Sequence, residues 1–323
     1  MAMISIIIPA YNESDILDML VKRLLAVTGS WKDSCEIIFV DDGSADNTWQ
    51  QISEYHKKYP FIKGVKFSRN FGHQSAVTAG LRYVNGDAAI IIDADLQDPP
   101  ELLGQFIDKW KQGYQVVYAV RKKRKENFLK RFSYFVFYRV LSKLSEIDIP
   151  LDAGDFCLMD KKVVDKINSL PEKKRFIRGL RVWVGFKHTA IEYERPARAG
   201  GEPKYNFFKL VDLALNGLLS FSSLPLRFAS ILGLIIAGTS FVGFLFFFIY
   251  RVFNLNVFGY SIREATGTAT ILLTILFLGG IQLITIGIIS EYLGRIFEEV
   301  KGRPTFIADT TVGFEEIEAG KRG

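Results

Sequence analysis

Asp93-Ala94-Asp95-Leu96-Gln97-Asp98-Pro99-Pro100 follows the apolar run Ala-Ala-Ile-Ile-Ile. Two Asp spaced i, i+2 at the end of a strand put hard oxygen ligands on one side of the chain, and Gln97 adds a third oxygen donor. That set of Asp93, Asp95 and Gln97 suits Mg²⁺ or Mn²⁺ bridging to phosphates. Capping of a following helix accounts for Asp98, but not for three acidic groups together. Two more polar clusters also end apolar runs: Pro9-Ala10-Tyr11-Asn12-Glu13 and Asp41-Asp42-Gly43-Ser44.

These clusters need a scaffold. Met3–Pro9 is a continuous apolar run of strand length, and 14–27 follows with Ile16, Leu17, Leu20 and Leu24 at helical spacing. Glu36–Val40 predicts a second strand, and 46–58 a helix with Ser44 as its N-cap. Strands at 62–67, 87–92 and 115–119 alternate with helices at 74–84 and 100–112. This alternation predicts βαβ units and a mostly parallel sheet covered on both faces. In such sheets functional residues gather at the carboxyl ends of strands, where all three clusters fall. The first strand is followed by neither G-x-G-x-x-G nor a P-loop, which argues against both common nucleotide-binding folds.

The chain has 323 residues, a formal net charge of +6, 49% apolar residues and 27 Phe. That excludes a disordered chain. The two Cys, Cys35 and Cys157, exclude a disulfide framework and a thiolate cluster, and three His leave little for a His-based zinc site.

The last 115 residues or so change character. Residues 228–250 hold no charge across 23 positions, and 265–290 none across 26. At ~1.5 Å per residue, each exceeds the roughly 30 Å hydrocarbon core as a helix. Two transmembrane helices are the expectation, joined by a short external loop at 251–264. The basic residues of the N-terminal domain and the tail put both termini in the cytoplasm. Gly233, Ala237, Gly279, Gly280 and Gly287 allow close helix packing, and association into a homo-oligomer is compatible with them. Residues 128–141 mix Lys130, Arg131 and Arg139 with six aromatics, and 206–227 is mostly apolar. Both suit interfacial amphipathic helices, although 128–141 equally suits a helix packed on the soluble domain. The expected organisation is 1–205 catalytic, 206–227 interfacial, 228–250 and 265–290 spanning, and 291–323 a cytoplasmic tail. With the basic charge beside the membrane segments, nucleic acid is not an expected partner.

In their order, PAYNE, DDGS, DADLQDPP, Lys130-Arg131, AGDFCLM and Arg198…Lys204-Tyr205 resemble glycosyltransferase family 2. Within it the chain looks most like the polyprenyl-phosphate glycosyltransferases: bactoprenol glucosyltransferases and, more distantly, dolichol-phosphate mannose synthases. SFSSLPLR and LFLGGIQLITIGIISEYLGR carry the likeness into both spans.

The resemblance implies an α/β GT-A fold and transfer of a hexose from a nucleotide sugar, UDP-glucose above others, to polyprenyl (undecaprenyl) phosphate. It implies inversion at the anomeric carbon, with Mg²⁺ or Mn²⁺ as cofactor, at the cytoplasmic face of a bacterial-type plasma membrane. Pro9, Tyr11, Glu13 and Asp42 would hold the nucleotide, with Asp42 accepting from the base. Asp93 would sit near ribose and metal, and Asp95 and Gln97 would ligate the metal. Arg121, Lys130, Arg131, Arg198 and Lys204 are the candidates for the acceptor phosphate. Asp155 matches the acidic residue near the reacting centre, as a base or a positioning group. Where the family shows a hydroxyl residue before Lys204, this chain has Pro203, which has no N–H to give. His73 reads as structural, and Arg69 and Asn70 as loop-ordering residues. A processive polysaccharide synthase and a non-catalytic scaffold are the competing classes. The first lacks its Q-x-x-R-W motif here, and intact Asp93, Asp95, Gln97 and Asp155 argue against the second.

Overall fold

A computed structural model describes residues 2–121, 153–173, 175–193, 224–252 and 267–314. The chain divides into two compact units, Met1–Phe221 with Gly302–Gly323, and Ser222–Lys301.

The first unit is built on an eight-stranded sheet in the order β7-β5-β6-β4-β1-β2-β3-β8. Its strands are β1 (Met3–Ala10), β2 (Ser34–Asp41), β3 (Ile62–Phe67), β4 (Ala88–Ile91), β5 (Val116–Arg121), β6 (Ala153–Asp160), β7 (His188–Tyr193) and β8 (Ala308–Val312). Helices α1 (Ser14–Thr28), α2 (Thr48–Lys58), α3 (His73–Tyr83), α4 (Leu103–Lys111), α5 (Lys161–Ser169) and α6 (Ile177–Trp183) accompany it.

β1 is central and fully buried from Ile4 to Ala10, as a continuous apolar strand in a two-sided sheet must be. α1 turns Leu17, Leu20, Val21 and Leu24 inward at helical spacing. Each fully buried side chain of this size contributes about 1.5–3 kcal/mol.

The expected parallel core exists: β1 pairs parallel with β2 and β4, and β2 with β3. The sheet as a whole is mixed. β6 runs antiparallel between β4 and β5, and β8 antiparallel beside β3. β6 is the segment that carries the AGDFCLM motif. Its Phe156 and Leu158 enter one core and Cys157 and Met159 the other, so it is a strand buried on both faces.

Two local expectations change. α2 starts at Thr48 rather than 46, with Asn47 and not Ser44 at its N-cap. Ser44 instead ties loops together: its N–H donates to Asp41 Oδ1 and its Oγ accepts from the Asn12 N–H. The first-turn donor of Thr48 goes to Asp46 Oδ1. Residues 291–323 are not one tail. The last helix continues to Val300, and the chain then adds β8 to the sheet of the first unit. Phe306 stacks on Phe67 at 5.0 Å, Phe314 meets Tyr83 at 4.8 Å, and the Ser68 N–H donates to the Ile307 carbonyl.

The second unit holds α7 (Leu224–Val252, 29 residues) and α8 (Thr268–Val300, 33 residues), which touch each other. Phe277–Val300 within α8 is long and apolar enough to cross a membrane, and α7 carries a shorter apolar stretch, Ala229–Gly243. α8 passes Ser290 because its following charges fit a helix surface, with Arg295 Nε 3.4 Å from Glu291 at i, i+4. The expected interfacial helix at 128–141, the linker 206–227 up to its last turn, and most of the loop 251–264 lie outside the described residues.

Candidate active site

The ends of β1 and β2 are laced together. Asn12 adopts φ 54°, a left-handed conformation that Asn tolerates. Its Oδ1 accepts from the Ala45 N–H, while the Glu13 N–H donates to Thr48 Oγ1 and the Ser14 N–H to Asp46 Oδ2. Pro9 lies in β1 opposite Val40. Tyr11 is exposed at the mouth of this loop.

Asp42 holds the loop before α3. Its carboxylate accepts from the Phe71 N–H at 2.6 Å and the Gly72 N–H at 2.9 Å. Burial pushes this carboxyl up, and those two amides pull it back. Gly43, at φ +70°, lets the two loops meet: a Cβ there would lie 2.5 Å from the Arg69 carbonyl carbon. Gly72, at φ +97°, makes the turn into α3.

The D-x-D turn follows β4. Leu96 sits at φ 59°, an unfavourable conformation for a branched side chain, and is buried. This holds Asp95 and Gln97 in a tight turn in which Asp95 Oδ1 accepts from the Gln97 N–H at 3.1 Å. Asp98 points elsewhere: it is buried and accepts from the Tyr193 hydroxyl at 2.5 Å.

Asp93 and Asp155 come together through strand register. Ile91 on β4 pairs with Cys157 on β6, and the antiparallel direction brings 155 level with 93. His73, the first residue of α3, stands between them, with Nε2 3.2 Å from Asp155 Oδ2 and 3.8 Å from Asp93 Oδ1. Arg178 on α6 grips Asp155 with both arms, Nε to Oδ1 at 2.8 Å and Nη2 to Oδ2 at 2.9 Å.

Burial and the neighbouring charges shift these groups in opposite directions. Burial pushes the Asp93 carboxyl up to about 6, against the pull of His73 and helped by Asp98, Asp155 and Asp95. Burial also opposes ionisation of Asp155, but Arg178 and His73 outweigh it and hold that carboxyl well below the usual range. For His73, burial acts downward, yet its bond to Asp155 and the charges of Asp93 and Asp155 raise it to about 9.

Among the described residues, no three His, Cys, Asp or Glu side chains already form a ligand cluster. The residues present nevertheless fit a hard cation. Asp93 Oδ1 is buried with no hydrogen-bond partner among the described residues, and its neighbours Asp95 and Gln97 offer only hard oxygen donors besides the amide nitrogen.

Of the expected site residues, Asp93 and Asp155 share this centre, and Asp95 and Gln97 belong to the same turn as Asp93. Pro9, Tyr11, Glu13 and Asp42 line the neighbouring strand ends. Arg121 ends β5. Lys130, Arg131, Arg198 and Lys204 lie outside the described residues. His73 and Arg178 also stand at this centre, where the sequence reading had not placed them. Arg178 sits in a basic stretch, Lys173 to Arg181, in which nothing sets it apart. His73 became visible only when α3 placed it between two acids.

The comparisons agree with this architecture. The Glycosyl transferase family 2 model matches residues 5–167. An uncharacterised glycosyltransferase, YkcC of Bacillus subtilis, is 47% identical over 96% of this chain and 94% of its own length. The uncharacterised glycosyltransferase sll0501 of Synechocystis is 45% identical over 97% of each chain. The SfII prophage-derived bactoprenol glucosyl transferase of Shigella flexneri is 40% identical over 94% of this chain and 96% of its own. The chain is therefore a glycosyltransferase that belongs to glycosyl transferase family 2, in its polyprenyl-phosphate glycosyltransferase branch.

Proposed function

We propose that the protein transfers a hexose, glucose from UDP-glucose, to a polyprenyl phosphate at the cytoplasmic face of a membrane. The observation that carries this reading is the 40% identity, across 94% of the chain, to a bactoprenol glucosyl transferase. Two helices of 29 and 33 residues suit an enzyme that must meet a lipid acceptor. In this reading both cross the bilayer, and the catalytic unit with both termini lies on the basic, cytoplasmic side.

Tyr11 offers an exposed ring for the nucleotide base beside Pro9 and Glu13. Asp42 keeps lone pairs free for the base beyond the two amides it holds. Asp93, Asp95 and Gln97 would hold Mg²⁺ or Mn²⁺, which when bound offsets the charge developing on the leaving diphosphate. An oxygen of the acceptor phosphate forms the new bond to the anomeric carbon. The bond from that carbon to the diphosphate breaks, and its electron pair leaves with UDP. Attack from the face opposite the leaving group inverts the centre. A phosphate monoester is already anionic, so its need is positioning and charge compensation rather than a proton acceptor. Arg121, Lys130, Arg131, Arg198 and Lys204 are the cations assigned to that compensation.

The test is transfer by the purified full chain in detergent, with undecaprenyl phosphate, Mg²⁺ or Mn²⁺, and labelled UDP-glucose, UDP-N-acetylglucosamine, GDP-mannose and modified-arabinose donors. Label entering lipid from UDP-glucose, and lost in Asp95→Ala, is the expected result. Label from a different donor reassigns the sugar alone. Label in a polymer, or in nothing, rejects the lipid-phosphate reading.

A further inference from the structure

We infer that Arg178 is a positioning residue for the transfer: its guanidinium fork fixes the plane and place of the Asp155 carboxylate beside Asp93. The inference rests on the reading of the site as a glycosyl-transfer centre given above.

The geometry is specific. Asp155 has a side-chain exposure of 5%, and the two Arg178 bonds of 2.8 and 2.9 Å reach different oxygens. A planar fork on a carboxylate fixes rotation as well as distance, which a single point charge does not. His73 approaches Oδ2 from α3, so the carboxylate is held from two elements.

The fork is itself anchored. The odd-numbered residues of β6, Cys157 and Met159, pack with Val77 and Leu81 of α3 and with Ile177 and Leu180 of α6. Asp155 continues that face at the open end of the strand. α6 is pinned at its start, where the Ile177 N–H donates to Gln74 Oε1 at 3.1 Å. His73 and Gln74 are consecutive on α3, so one helical turn touches both Asp155 and the start of α6. One turn after Arg178, Arg181 is 2% exposed and lies 5.3 Å from the centre of the Tyr118 ring. Tyr118 is the register partner of Cys157. Rotating α6 to swing Arg178 away would drag a buried guanidinium from under the sheet.

This arrangement assigns Asp155 a role. A carboxylate held in one plane by two bonds presents its remaining lone pairs in fixed directions, as a hydrogen-bond acceptor for a substrate hydroxyl. That agrees with an acceptor that brings its own oxyanion.

The experiment is a double-mutant cycle on transfer by the full chain, with Arg178→Gln, Arg178→Lys, Asp155→Asn and the Asp155→Asn/Arg178→Gln pair. Donor hydrolysis without lipid is measured in parallel on the same proteins. Arg178→Gln is expected to lower kcat by roughly 10²-fold with donor KM within about twofold, and Arg178→Lys to recover part of it. In the Asp155→Asn background, Arg178→Gln is expected to cost nothing more, because its path runs through Asp155. Equal losses in both backgrounds, full activity of Arg178→Gln, or a rise in donor KM at unchanged kcat would each overturn the inference. If Arg178→Gln melts early, Arg178→Lys decides: wild-type turnover in that variant also overturns it. Wild-type protein that moves no sugar to lipid defeats the lipid reading, and the same cycle on donor hydrolysis then decides the role of Arg178.

Discussion

Cys157 on β6 is the register partner of Ile91 on β4, and this pairing, two residues along the chain from each acid, brings Asp155 level with Asp93. The pairing of Asp93 with Asp155 is thus set by a sheet ladder, while the loops at the ends of β1 and β2 are tied to each other beside it. An antiparallel strand inserted beside a parallel core is what lets a residue some sixty positions later face the D-x-D turn. Precision of this kind follows from placing functional groups on regular elements.

The first prediction concerns the cation. Asp98 is committed to Tyr193, whereas Asp93 Oδ1 has no hydrogen-bond partner among the described residues. Chelation with EDTA is expected to abolish transfer, and Mg²⁺ or Mn²⁺ to restore it. Asp95→Ala is expected to lower turnover by about 10²-fold or more and to weaken Mn²⁺ binding measured by calorimetry. Asp98→Asn is expected to bind Mn²⁺ as the parent does. Equal loss of Mn²⁺ in both variants would contradict the division of labour among these acids.

A second prediction follows from loop contact. Gly43 has φ +70°, and its missing Cβ would stand 2.5 Å from the backbone of Arg69. Gly43→Ala is expected to destabilise the catalytic unit by about 1–3 kcal/mol in denaturant unfolding. Because Asp42 carries the loop at Phe71 and Gly72, donor KM is expected to rise in the same variant. An unchanged KM with lowered stability would separate the loop from donor binding.

These cases show what the sequence could and could not disclose. The apolar runs of β1 and β2, the spacing in α1 and the acidic turn after β4 are local signals, and each led to the right element. The charge-free run 265–290 located α8, but charge does not end a helix whose ions fit its surface, so the helix reached Val300. β6 was hidden because AGDFCLM stands out for its Gly and Asp rather than for the apolar residues alternating around them. Arg178 and His73 have no local signature. Their meaning depends on a contact across 23 residues in one case and 82 in the other.

A third prediction tests the buried acid that supports the turn. Tyr193 donates to Asp98 at 2.5 Å, and Asp98 is 2% exposed. Tyr193→Phe removes this donor without removing the ring, which also meets Phe156 edge-on at 6.1 Å. Stability is expected to fall by about 1–3 kcal/mol, the cost of taking one hydrogen bond from a buried carboxylate. Asp98→Asn combined with Tyr193→Phe is expected to lose less than the two single losses summed. Strict additivity would show that the two groups do not act as a pair.

The last prediction concerns the returning strand. Edge strand β3 would present an open row of backbone groups if β8 did not pair with it. Phe306 leads into β8, is 1% exposed, stacks on Phe67 at 5.0 Å and lies beneath the Arg82 guanidinium at 5.4 Å. Phe306→Ala is expected to cost about 3–5 kcal/mol, the range for emptying a buried aromatic site. Phe306→Leu keeps most of the volume but loses the stacking, and is expected to cost less. A chain truncated after Lys301 loses the ladder as well as the ring, so its catalytic unit is expected to unfold at lower denaturant than Phe306→Ala and to aggregate sooner. If the truncated chain instead keeps wild-type stability and solubility, β8 is an ornament on the sheet, and the edge of β3 is protected by its own side chains.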